Sequence, residues 1–169
     1  MSDVVNVIRR IGRHLTLTEG ERSILAATIS VAIFGALLAF NVVMTIGGHA
    51  SMVAGFSAYE LWVVFSGAVG GPVGLYLCRN WMGRAGWRGL CAAIVGVVAI
   101  SVVGSIVGGT LALPFYGTMF GPFTLIMSLI SAPLLALLWA STLFGAHFLM
   151  GIWRTEQDSI FNAVLHADR

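Results

Sequence analysis

Few residues of this 169-residue chain are of a type that does chemistry, and fewer stand where a solvent-filled site could use them. Residues 23–59, 61–78 and 89–153 carry no charge, so Glu60 is isolated among them. The polar groups within these stretches include Asn41, Ser30, Ser66, Ser101 and His147. A serine can donate back to its own helix, which leaves Asn41, Glu60 and His147 as the polar intramembrane candidates, each a functional hypothesis by default in hydrocarbon. Ser57 precedes Glu60 by three, the spacing of a capping box. A carboxylate in a first turn is favoured by the helix dipole, so Glu60 reads as a cap, with a proton or cation site as the alternative. His147 lies six residues before Trp153, roughly 9 Å into a span by helix rise. It reads as a hydrogen-bonded packing histidine, with ligation of haem or a chlorophyll magnesium as the alternative. Antenna helices place a small residue four before such a ligand, where this chain has Leu143. His49 falls at the opposite surface, so the two rings cannot share a metal, and no metal site is expected.

Catalytic signatures are missing from the sequence. There is no HExxH, no pair of buried carboxylates, no serine with a plausible base, and no glycine-rich phosphate loop on a soluble face. The chain is therefore not expected to be an enzyme, and the sequence requires no cofactor, although bound lipid is expected. Cys78 and Cys91 match no CxxC spacing and read as free, packed thiols. A coupled transporter would want an ionisable group near the midplane, and none is present.

The elements that must carry these residues follow from composition. With 58% hydrophobic and 9% charged residues and mean hydropathy +0.93, against about 25% charged in soluble domains, this is an all-α integral membrane protein. The basic residues, nine in number, are all arginines, confined to three polar islands: Arg9 to Arg22, Arg79 to Arg88, and Arg154 with Arg169. Short Arg-rich loops stay cytoplasmic, so the chain should cross four times as two consecutive hairpins with both termini inside. The predicted spans are 19–46, 58–78, 89–111 and 123–153. Glycine pairs Gly47–Gly48 and Gly108–Gly109 should close helices one and three. Pro72 and Pro133 should kink helices two and four. The connection from Pro114 to Pro122 is uncharged and aromatic. Residues 1–17 place Val4, Ile8, Ile11 and Leu15 at helical spacing, as an amphipathic interfacial helix or a frayed polar tail. Residues 154–169 form a cytoplasmic tail. Nothing offers a basic face to nucleic acid, which leaves membrane lipids and other integral membrane subunits as partners.

Offset by 61 residues, Gly35 falls on Gly96, Gly47–Gly48 on Gly108–Gly109, and Pro72 on Pro133, as if one hairpin were written twice. Asn41 near a helix end, a glycine turn, then Trp62 and a small-residue run into Pro72 resemble an uncharacterised bacterial family of two-helix membrane hairpins. The resemblance covers residues 23–79, with a degraded copy at 84–139 that lacks the Asn and the Trp. It implies a hairpin fold and no activity. Thr124, Ser128, Ala132, Ala136 and Ala140 recur every four residues, a small-residue column that lets another helix approach closely. With Phe115, Tyr116 and Phe120 of the aromatic connection, they are the partner-contact candidates. The expectation is a non-catalytic accessory or scaffolding subunit of a larger complex in the bacterial inner membrane, photosynthetic or respiratory. The alternative is a small homo-oligomeric channel or transporter lined by Asn41, Glu60 and His147.

Overall fold

The computed structural model describes residues 18–47 and 55–167. Among them five α-helices follow one another: α1 (Glu19–Gly47), α2 (Ala58–Cys78), α3 (Gly86–Ala112), α4 (Gly117–Ser131) and α5 (Pro133–Ala167), with a 3-10 turn at Arg79–Trp81. Helices α1, α2, α3 and α5 are long and apolar enough to cross a membrane, the pattern of a multi-pass membrane protein. Helix α4 has 15 residues, about 22 Å by helix rise and short of a hydrocarbon core of roughly 30 Å. The N-terminal amphipathic segment and His49 lie outside the described residues.

Local chemistry starts two of the helices. Thr18 and Glu21 exchange hydrogen bonds, Glu21 N to Thr18 Oγ1 at 3.2 Å and Thr18 N to Glu21 Oε2 at 3.0 Å. Ser57 and Glu60 do the same at α2, at 3.2 and 2.7 Å. Each box satisfies two backbone donors that a helix start leaves unpaired.

The helices are drawn together by missing side chains. The backbone of Gly67 stands where a Cβ on Gly35 would go, which seats α1 on α2. A Cβ on Gly70 would meet Gly104 and Gly108, and one on Gly74 would lie 2.6 Å from the Ile100 carbonyl, which seats α2 on α3. Gly117 and Gly121 press α4 against Gly109 and Ser105 of α3. Helix α5 returns to lie along α1. In a bilayer no hydrophobic force separates lipid from side chain, so this closeness supplies the dispersion contact that holds the helices together. One end of the bundle gathers the start of α1, the Arg79–Trp81 turn and Arg154, and is termed the arginine end. The other, the aromatic end, joins α2 to α3: the Trp62 indole donates to the Leu111 carbonyl at 2.9 Å. The buried apolar cluster sits toward the arginine end, with Ala27, Met82, Ala146 and Met150 at its centre. The outward faces are apolar and exposed, as a helix in lipid requires.

The region expected to form one kinked helix over 123–153 forms two. Helix α4 begins at Gly117, ends at Ser131, and is followed by Ala132 in extended conformation (φ −128°, ψ 90°) before Pro133 opens α5. The ring of a proline disfavours the α conformation in the residue before it and suits the first position of a new helix. Pro133 therefore breaks the path where a kink was expected. Pro72 does not break its helix: α2 runs unbroken through it. The two prolines paired by the 61-residue offset thus occupy different local structure. So do Gly35, against the α2 backbone, and Gly96, against the side chains of Trp81 and Met82.

Two glycine substitutions should separate packing from propensity. Gly67→Val should lower unfolding stability in a detergent–denaturant titration by about 1–3 kcal/mol, the range for overpacking. Gly145→Ala, where a Cβ meets nothing within 4 Å, should leave stability unchanged or raise it by about 0.5–1 kcal/mol.

Candidate functional site

The glycines that bring the helices together also leave space. Toward the aromatic end α1, α2, α3 and α4 line a half-open cavity of about 210 Å³, with Trp139 and Leu143 of α5 also in its lining. Gly67 and Gly71 of α2, Gly104 and Gly108 of α3, and Gly121 of α4 face it. They contribute backbone and no side chain, so the space remains although the backbones are close. Helices α1 and α4 touch little.

Its polar groups are already engaged. The Trp139 indole donates to Ser101 Oγ at 2.9 Å, and Ser101 Oγ donates to the Val97 carbonyl at 2.8 Å. Ser105 donates to the Val102 carbonyl and Thr124 to the Gly121 carbonyl, both at 2.9 Å. Tyr59 Oη reaches the Ala112 carbonyl at 3.4 Å. The cavity offers its contents hydrocarbon contact and no free proton donor from these side chains. Sequence reasoning missed Trp139. The signal available was an indole far from any polar island, since a buried indole N–H needs a partner.

Above the cavity the chain turns from α3 into α4 in four residues, Leu113 to Tyr116. The Leu113 N–H donates to the Gly109 carbonyl at 2.8 Å, and the Gly117 N–H to the Leu113 carbonyl at 2.7 Å. So tight a return puts Phe115 in the left-handed region (φ 72°), the one non-glycine residue there among those described. That conformation is unfavourable for a bulky residue. Phe115 is 92% exposed, and Tyr116, Met119 and Phe120 beside it are exposed as well.

The arginine end is fastened by side chains of α5. His147, 8% exposed, accepts at Nδ1 from the Gly83 N–H at 3.0 Å, and Arg154 Nη2 donates to the Arg79 carbonyl at 2.9 Å. Glu156 takes the Gly20 N–H and the Thr18 hydroxyl at the start of α1. Arg154 Nε is buried without a hydrogen-bond partner among the described residues. The Arg79 guanidinium lies over the Tyr76 ring at 4.7 Å.

The sequence candidates are therefore dispersed. Asn41 is half-buried on α1, Glu60 serves the α2 cap at the aromatic end, and His147 holds the connection at the arginine end. The small-residue column is divided: Thr124 faces the cavity, Ser128 is buried on α4, Ala132 occupies the break, and Ala136 and Ala140 are half-buried on α5. Phe115, Tyr116 and Phe120 do lie together, although Phe120 belongs to α4 and not to a loop. Cys78 is half-buried and Cys91 exposed, so the second thiol is not packed as expected. For His147, the bond to Gly83 places the ring proton of a neutral imidazole on Nε2. Ligation of a metal through Nε2 would need that proton moved to Nδ1, facing the Gly83 N–H. Among the described residues no group of three or more His, Cys, Asp or Glu gathers as a metal site.

Set against protein-family models, characterised proteins and solved structures, the chain matches none.

His147→Leu should leave the Gly83 N–H unpaired and cost about 1–3 kcal/mol, whereas His147→Asn, whose side-chain oxygen falls near the place of Nδ1, should recover most of that loss. Unfolding midpoints of the two variants in one detergent check the difference.

Proposed function

We propose that the protein is a non-catalytic accessory or scaffolding subunit of a larger complex in the bacterial inner membrane, a photosynthetic or respiratory assembly. Both termini lie in the cytoplasm, with α1–α2 as one hairpin and α3 to α5 as the second. The arginines near the starts of α1 and α3 and beside Trp153 support this orientation, by the positive-inside rule.

The observation that carries the reading is the exposed turn at Phe115. A residue held in a sparsely populated backbone conformation persists only where the surroundings impose it, and such positions cluster at sites of function. Here the strain displays an aromatic ring to the outside. Aromatic residues and Met are enriched at protein interfaces, and Phe115, Tyr116, Met119 and Phe120 supply both at one edge. The glycine columns of α2 and α3 are used within the chain, so the partner face is the aromatic edge, with Ala136 and Ala140 of α5 as the second contact. The channel alternative has less behind it, because Glu60 is engaged in the α2 cap and His147 in the bond to Gly83.

The test is a native gel of the tagged full chain solubilised gently from its own membrane. The wild type should co-migrate with a larger complex. Phe115→Gly should release it while raising the chain's own unfolding stability by about 1 kcal/mol or more, since glycine adopts the left-handed conformation without strain. A wild type that migrates alone as a homo-oligomer would overturn the proposal.

A further inference from the structure

The geometry points to the cavity between α1, α3 and α4 as a binding site for a single hydrocarbon chain of a membrane lipid. At about 210 Å³ it exceeds the ~150 Å³ of an engineered apolar cavity that stays dry and takes up benzene. Water gains little there, because it needs two to four polar partners and the Ser101, Ser105, Thr124 and Trp139 side chains are already bonded within the protein. The same bonds disfavour a polar head that must accept a hydrogen bond, since these side chains have no donor to spare. What remains is hydrocarbon. The cavity lies in the aromatic half of helices that are long enough to cross a membrane, so acyl chains are the solvent around it. The cavity is half-open, and α4 in its wall is too short to span the hydrocarbon. The glycine walls give a chain close van der Waals contact with backbone, as a neighbouring helix would. The site selects a chain and not a headgroup. It stands whether or not the protein has a protein partner, because it requires only the bilayer.

Trp139 reports on the site, since its ring lines the cavity. With Trp62, Trp81, Trp87 and Trp153 replaced by Phe, the full chain is reconstituted in phosphatidylcholine vesicles whose acyl chains carry bromine near mid-length, or in unbrominated vesicles. Bromine quenches an indole on contact. Trp139 emission should fall at least twofold in the brominated vesicles, and each of two filling variants, Val42→Phe and Ser105→Leu, should recover at least half of the lost signal. Two variants at separate walls are used so that failure of one to fold leaves the other, with helical content by circular dichroism as the check. Unquenched Trp139 would overturn the proposal. So would equal quenching in the parent and in a folded filling variant, because bromine would then be reaching the ring from outside the cavity.

Discussion

The approach of backbone to backbone at glycine governs this fold. A soluble helix is driven onto its neighbour by the removal of apolar surface from water, but a helix in hydrocarbon gains nothing by exchanging lipid for leucine. What it can gain is closeness. Gly35 on Gly67, Gly70 on Gly104 and Gly108, and Gly109 on Gly117 bring successive helices so near that a methyl group would collide with the opposing main chain. The short turn at Phe115 and the space in front of Trp139 go with these contacts. A tight α3–α4 return requires Gly117, and the tightness of that return drives Phe115 into its strained conformation. The cavity is the same geometry seen from the other side, because a wall without side chains cannot fill the volume next to it.

The two ends of the bundle are held by different means. At the arginine end three side chains of α5 reach other segments: His147 to the loop glycine, Arg154 to the carbonyl of Arg79, and Glu156 to the start of α1. Helix α5 thus ties together the beginning of the first helix and the connection between the second and third. At the aromatic end the links run between neighbours in sequence order, from Trp62 to Leu111 and from Thr110 to Thr118 at 3.0 Å. One end is closed by polar bonds from a distant helix, and the other is left to the glycine contacts and to an exposed aromatic turn.

Much of this was legible in the sequence where the determinants are local. The long gaps between charges mark four apolar helices, and Thr18 with Glu21 and Ser57 with Glu60 announce two helix starts within four residues each. What was not legible depends on contacts remote in sequence. Gly117, Gly121 and Pro122 read as a connection because glycine and proline disfavour helix, yet that stretch is helical because α3 offers Gly109 and Ser105 as a seat. The small-residue column from Thr124 to Ala140 presumed one continuous axis, which the extended Ala132 interrupts. Trp139 carried no motif, since its partner Ser101 lies 38 positions away. The residue types of the aromatic turn were evident. The strain at Phe115 was not, because it arises from how closely two helices meet.

The glycine contacts also invert the usual map of mutational tolerance. In a water-soluble domain the large buried residues are the intolerant positions, and small ones accept change. Here the large apolar side chains, such as Ile33, Leu37, Leu137 and Phe148, mostly point outward, where any other apolar residue would serve lipid equally well. The irreplaceable positions are those with nothing on them. Evolution along this chain should therefore drift freely among leucine, isoleucine, valine and phenylalanine while holding Gly35, Gly67, Gly70, Gly109 and Gly117 fixed. Descendants would come to share almost nothing recognisable except the places where a side chain is missing.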